Sequence, residues 1–176
     1  AAGYYWVEVT DANGCIDTLD FEISEVAPVN VSAMSTTTPS CNGDSDGEII
    51  TQTTGGTAPF SYLWNTAQTT HDINNLSAGT YSVTVTDDNG CTNEVSIELT
   101  QPDTLQADGQ VLGNIICYGD SAGVANVLPS GGTAPYSYLW SNFETTQMID
   151  SLPAGHYQVT LTDANNCQTT AWVDII

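Results

Sequence analysis

Between Thr80 and Thr86 the chain alternates strictly. Tyr81, Val83 and Val85 are apolar, and Thr80, Ser82, Thr84 and Thr86 between them are polar. Beyond Asp88-Asn89-Gly90 the alternation resumes, with Val95, Ile97 and Leu99 set among Glu94, Ser96 and Glu98. A period of two gives a strand one apolar face, and Asn-Gly supplies the positive φ of a tight antiparallel turn, so 80–99 predicts a hairpin. Tyr5, Val7 and Val9 followed by Leu19, Phe21 and Ile23 predict another. Shorter candidate strands lie at 29–34, 47–53, 59–64 and 69–74, separated by Gly, Pro, Asn and Asp clusters that favour turns. No segment carries a 3.6-residue period, so no helix is predicted.

The pattern recurs at a shift of 76 residues. GGTAPFSYLW at 55–64 returns as GGTAPYSYLW at 131–140, and AGTYSVTVTDDNGC at 78–91 as AGHYQVTLTDANNC at 154–167. AGYYWVEVTDANGC at 2–15 is the same block one shift earlier, and 27 of 76 residues are identical between 25–100 and 101–176. This is a tandem array. Its frame predicts the C-terminal part of a preceding repeat at 1–24 and complete repeats at 25–100 and 101–176, with more of the protein upstream. Six or seven short strands per unit predict a small β-sandwich. Trp64 and Trp140 fall in the third strand, where immunoglobulin-like sandwiches bury a Trp. The run Leu76 to Tyr81 resembles the corner whose Tyr hydroxyl caps the preceding loop, repeated at Tyr157 and Tyr5. The expected fold is therefore all-β: tandem immunoglobulin-like (PKD- or fibronectin-like) β-sandwich repeats of 76 residues.

Composition narrows the function. Asp and Glu number 21 and Lys and Arg 0, a formal charge of −21 at pH 7. Such a chain cannot neutralise phosphates, which excludes nucleic acids and anionic membrane surfaces as partners. Walker lysines, Schiff-base lysines and arginine fingers are excluded with them. Salt bridges of the usual kind and lysine isopeptide cross-links cannot form, and trypsin has no site. Hydrophobic residues, at 40%, still supply a core. The apolar runs are too short to insert into a membrane. Nothing repeats as a Ser-His-Asp set or a nucleophile elbow, so no catalytic residue is predicted and the chain is not read as an enzyme.

Four motifs recur in fixed order: Cys-x-Gly-x-Ser-x-Gly at 41–47 and 117–123, the GGTAP(F/Y)SYLW block, LxAGxYxVTxTDxN, and the cysteine after it. On these motifs the whole chain resembles the SprB repeat family of giant cell-surface proteins of gliding Bacteroidota. The resemblance implies an extracellular, cell-surface adhesin exported by the type IX secretion system and displayed as filaments on the outer membrane. Its implied partners are neighbouring repeats of the same chain, an extracellular surface or polysaccharide, and the gliding and type IX secretion machinery.

In an exported repeat, cysteines at fixed positions point to disulfides. Cys41 and Cys117 share one position of the unit, and Cys15, Cys91 and Cys167 the other. The simplest pairing is Cys41–Cys91 and Cys117–Cys167, with Cys15 paired upstream, each bond closing a loop worth roughly 4 kcal/mol. A standard strand order puts these two positions at opposite ends of the sandwich, so this pairing needs one strand fewer or a displaced first strand. Cys15–Cys41 with Cys91–Cys117, across the junctions, and free thiols are the alternatives.

Asp44, Asp46 and Glu48 look like half of a calcium loop, and Asp120 keeps only part of it. Asp87 with Asn89, and Asp163, add carboxylate and amide oxygens at the hairpin turn. These residues are the candidate Ca²⁺ ligands; the bland reading is that they are turn formers. Thr18, Thr104, Ser121 and Ser151 stand in Asp-(Ser/Thr)-apolar motifs that resemble the O-glycosylation acceptor of Bacteroidota. Trp6 and Trp172 fall on the outward phase of their strands, where a neighbouring loop is expected to cover them; a sugar or protein contact is the alternative. His71 and His156 align with Gln147 and Thr80 and are read as surface residues.

The junctions at 25–28 and 101–104 each hold a proline and no glycine, which predicts a semi-rigid linkage. The expected role is a structural and adhesive repeat of a filamentous surface adhesin, a stalk used in attachment and gliding motility. A Ca²⁺-dependent carbohydrate- or protein-binding module and a self-assembling extracellular sheath are the alternatives. Asp46 and Glu48 of one unit become Ala122 and Val124 in the next, so loop chemistry is not kept, which favours the stalk.

Overall fold

The computed structural model describes residues 2–117 and 119–176, and among them there are strands and no helix. A hairpin comes first, β1 (Gly3–Thr10) and β2 (Ile16–Ile23). Six strands follow: β3 (Asn30–Thr37), β4 (Gly47–Thr54), β5 (Ser61–Trp64), β6 (Ile73–Leu76), β7 (Gly79–Thr86) and β8 (Thr92–Leu99). Six more complete the chain: β9 (Gln106–Gly113), β10 (Gly123–Ser130), β11 (Ser137–Trp140), β12 (Met148–Leu152), β13 (Gly155–Thr162) and β14 (Gln168–Ile175). By contacts the chain divides into two compact units. One is Ala1–Met34, Thr51–His71 and Ser82–Ser96; the other is Ser35–Ile50, Asp72–Tyr81 and Ile97–Ile176.

Residues 101–176 fall entirely in the second unit. Their strands form two antiparallel sheets, in the orders β12-β10-β9 and β11-β13-β14. Alternation decides what lies between the sheets. Ala171, Val173 and Ile175 of β14 are buried while Trp172 and Asp174 face out, and on β13 Val159 and Leu161 are buried. Ala125, Val127, Trp140, Ile149 and Leu152 make one core with Val159, Ala171, Val173 and Ile175. Trp140 is its largest member, 1% exposed, and its indole N–H donates to the Thr146 carbonyl at 2.9 Å. Burial on that scale contributes about 4–6 kcal/mol before entropy is counted.

Residues 25–100 repeat the plan, with sheets ordered β3-β4-β6 and β5-β7-β8. Trp64, Ile73, Leu76, Val83, Val85, Ile97 and Leu99 are buried, each 76 residues before a buried position of the second repeat. Each repeat is thus an immunoglobulin-like sandwich of two three-stranded sheets. Two strands start later than their sequence patterns indicate. β5 begins at Ser61, past Pro59, which has no N–H to give a ladder. β6 begins at Ile73, because the Thr70 carbonyl is turned to the Trp64 indole N–H at 2.9 Å.

Close approaches account for the glycines of two motifs. At Gly123 a Cβ would sit 2.8 Å from the Leu152 carbonyl oxygen, and at Gly47 2.7 Å from that of Leu76. Gly55 and Gly131 have φ near the left-handed region (66° and 65°), and a Cβ there would reach 2.1 Å from the carbonyls of Pro28 and Thr104. Only glycine fits where a strand or loop passes this near another backbone.

Candidate functional site

The cysteine-bearing turn is built the same way three times. In the last copy Asp163 Oδ1 accepts the N–H groups of Asn165 and Cys167, both at 2.9 Å, and Oδ2 accepts that of Thr133 at 2.8 Å. Asp87 does the same with Asn89 (3.0 Å), Cys91 (2.8 Å) and Thr57 (3.0 Å). Asp11 accepts Asn13 (2.8 Å) and Cys15 (2.9 Å). Asp87 and Asp163 are buried carboxylates in a chain without Lys or Arg. Backbone N–H dipoles take the place of a counter-ion. Burial pushes Asp87 upward, but the N–H groups of Thr57, Cys91 and Asn89 outweigh it and hold the carboxyl below 3.8. At Asp11 the N–H groups of Cys15 and then Asn13 do so.

The other candidate calcium ligands are also engaged locally or lie apart. Asp46 accepts the Ser40 hydroxyl at 2.6 Å and its N–H at 2.9 Å, and these lower its pKa in that order. Asp44 reaches the same hydroxyl only at 3.5 Å. Glu48 is half-buried on β4, and Asp120 is exposed and gives its N–H to the Cys117 carbonyl. Among the described residues no three His, Cys, Asp or Glu side chains gather into a set fit for a metal ion.

The cysteines pair differently from the simplest expectation. Cys41 is bonded to Cys167, 126 residues away with Cα atoms 5.7 Å apart, and Cys15, Cys91 and Cys117 are exposed free thiols. The path of the chain shows why Cys117 does not reach Cys167. Leu152 pairs with Gly123, beside the loop that holds Cys117, and β13 starts three residues later. It then runs its full length before the turn that holds Cys167. Eight residues at about 3.3 Å each leave the two thiols roughly 25 Å apart, against the 7 Å limit between bridged Cα atoms. Having six strands rather than seven does not bring these ends together. The alternatives Cys15–Cys41 and Cys91–Cys117 do not form either.

The bond instead crosses from one repeat to the next, and hydrogen bonds surround it. Asn165 Nδ2 donates to the Ser40 carbonyl at 2.8 Å and to Thr133 Oγ1 at 3.2 Å. Asn42 Nδ2 donates to the Pro102 carbonyl (3.0 Å) and accepts the Thr104 hydroxyl (2.9 Å), while Gln101 accepts the Gly43 N–H (2.9 Å). Sequence reasoning missed Ser40, Asn42, Gln101 and Asn165. Asn165 alone carried a signal, recurring as Asn89 and Asn13, and it reads as an ordinary turn residue.

The remaining candidates are dispersed. Trp64 and Trp140 are buried; Tyr81 donates to the Ser77 carbonyl at 2.9 Å and Tyr157 to that of Pro153 at 3.0 Å. Tyr5 stacks on Phe21, ring centroids 5.9 Å apart. Trp6 and Trp172 are 66% and 61% exposed, so no loop covers them, contrary to expectation. Thr18, Thr104, Ser121 and Ser151 are all exposed, with Thr104 held to Asn42 and Ser151 to Asp150. His71 meets Tyr62 edge-on at 5.0 Å, and His156 bonds Asp174 at the surface.

A family model described as SprB repeat matches residues 33–69 and 110–145. No curated protein sequence matches the chain. Among solved structures, an I-band fragment of titin is 12% identical, with 99% of this chain and 74% of that one covered at a TM-score of 0.40. Murine CEACAM1b is 16% identical over 84% of this chain and 98% of that one, TM-score 0.34. Domains 3 and 4 of rat CD4 are 11% identical over 98% and 94%, TM-score 0.25.

Proposed function

We propose that the chain, whose residues 33–69 and 110–145 match a family model described as SprB repeat, is a structural and adhesive module of a large cell-surface filament, a semi-rigid stalk used in attachment and gliding. One observation carries this reading. Consecutive repeats are joined twice, by the backbone at 100–101 and by the Cys41–Cys167 bond with its collar of hydrogen bonds. A binding module needs its loops free and chemically constant; here the loop at 40–43 is spent on residues 165–167 and on the junction at 101–104. The stalk is extracellular and needs neither cofactor nor active site. The surface it stands on, the secretion route and the gliding machinery follow from the family resemblance. Ca²⁺ at the acidic loops and sugars at Thr18, Thr104, Ser121 or Ser151 are additions that the stalk does not require.

The test is an attachment assay with cells carrying the parent protein and versions shortened by whole repeats. Attachment falls with array length if the repeats act as a stalk. The purified chain, coated on beads, gives no saturable binding to polysaccharide surfaces. Saturable binding by the chain alone would instead make it a binding module.

A further inference from the structure

We infer that Cys41–Cys167 is one rung of a covalent ladder, in which the loop cysteine of every repeat bonds the turn cysteine of the repeat that follows it. The inference rests on reading the chain as an array and adds the partner of each exposed thiol. Its ground is that the observed bond joins one cysteine position of the 76-residue unit to the other, one unit further on. Apply the same 126-residue step to the remaining cysteines. For Cys15 and Cys91, which occupy the turn position, the partner lies upstream of residue 1; for Cys117, at the loop position, it lies downstream of residue 176. The three free thiols are thus the three whose partners these 176 residues do not contain.

The geometry that presents Cys167 to its partner is already in place at the unbonded copies. Asp87 and Asp11 accept the N–H groups of Cys91 and Cys15 as Asp163 accepts that of Cys167. Asn89 even holds its amide as Asn165 does, donating to Thr57 Oγ1 at 2.8 Å. On the loop side, Ile116 stands beside Cys117 and is 92% exposed, an apolar tip with no cover. It occupies the position of Ser40, whose carbonyl is met by Asn165 of the next repeat. The occupant that fits the Cys117 loop is therefore the Asp-Asn-Cys turn of a following repeat. The occupant that fits the Cys91 turn is the cysteine loop of a preceding one.

Closing a rung is a two-electron oxidation, and its oxidant is a disulfide such as oxidised glutathione. One protein thiolate attacks that disulfide, forming a mixed disulfide and releasing one glutathione thiolate. The second protein thiolate then attacks the protein-bound sulfur, forms the rung and releases the other.

The experiment extends the full chain by one repeat, fusing a second copy of 25–100 after Ile176. Cys91→Ser in the original repeat and Cys41→Ser in the appended copy leave each remaining cysteine unique. The chain is reduced, refolded in a glutathione redox buffer, alkylated, cut with an Asp-specific protease and mapped by mass spectrometry. Two linked peptides are expected, Cys41–Cys167 and Cys117 with the appended Cys91, leaving Cys15 as the alkylated cysteine. An alkylated Cys117, or a Cys117–Cys167 peptide, overturns the ladder. A second arm needs no extension: in the 176-residue chain with Cys41→Ser, Cys117 and Cys167 both stay alkylatable, and a bond between them overturns the rule. Attachment is a separate readout, so the stalk and the ladder can fail independently.

Discussion

The hairpins at 3–23 and 155–175 are the same piece of sequence in two surroundings. Their pairing is identical: Gly3↔Ile23 through Thr10↔Ile16 in one, Gly155↔Ile175 through Thr162↔Gln168 in the other. Their turns are fixed by the same aspartate bonds. Their burial differs on the apolar face. Val9 is 61% exposed where Leu161, its counterpart, is at 0%, and along β2 every residue is exposed. Register and turn therefore come from local sequence, while the apolar alternation is put to use only where a second sheet lies across it. The turn at Cys15 carries the same aspartate bond to the cysteine N–H as the turn at Cys167, although its thiol is free.

The largest expected effect separates Cys167 from Cys15. Reducing the Cys41–Cys167 bond, or Cys167→Ser, is expected to cost up to about 5 kcal/mol of stability in the chain-entropy picture. Cys15→Ser should leave the denaturant midpoint unchanged, and equal losses from the two would erase the distinction. Next comes the core. Leu161→Ala is expected to destabilise by about 2–5 kcal/mol, whereas Val9→Ala stays within about 0.5 kcal/mol. A large loss at Val9 would mean that the first hairpin is covered in solution.

A smaller effect concerns acid. Asp87 and Asp11 both lie below 3.8 in the folded chain, so the unfolded chain binds more protons between the two values. The stability they contribute is complete above 3.8 and drains away as the pH falls through the lowered values. Carboxyl titration by NMR should find both midpoints below 3.8; an ordinary value at Asp11 alone would show its turn open. The smallest effect is none. Melting in millimolar Ca²⁺ and in EDTA at matched ionic strength should coincide, since the turn carboxylates are occupied by N–H groups. A ligand at 100 times its dissociation constant would add about 2.7 kcal/mol, and a gap of that size would restore the acidic loops as metal sites.

Much of the fold was legible along the chain because it is encoded locally. Tyr81, Val83 and Val85 alternate, Asn89-Gly90 turns, and Trp64 and Trp140 lie where the core lies. Gly47 and Gly55 mark backbone crossings. The cysteine pairing was not legible, because it depends on how the end of one sandwich meets the start of the next. Cys41 and Cys91 look like natural partners at a separation of 50 residues, yet a strand length divides that pair of positions within a repeat. Ser40, Asn42 and Gln101 acquire their roles only through contacts some 60 to 125 residues away. Nothing in their own neighbourhoods announces this. The acidic loops were ambiguous for the opposite reason. Asp, Asn and Gly at a turn serve the backbone or a cation equally well on paper, and the backbone role of Asp87 and Asp163 emerges only from the N–H groups they accept.

The Cys41–Cys167 bond also reroutes tension. When the two ends of the chain are pulled apart, the load entering at Cys41 can cross directly to Cys167 through two sulfur atoms. The residues between them then lie on a slack loop. Even if that stretch unfolded, the 126-residue span would contribute no extension, sparing on the order of 400 Å of contour length. A fibre made this way would lengthen only through the short stretches between rungs, such as 91–117, under a pull that melts its domains.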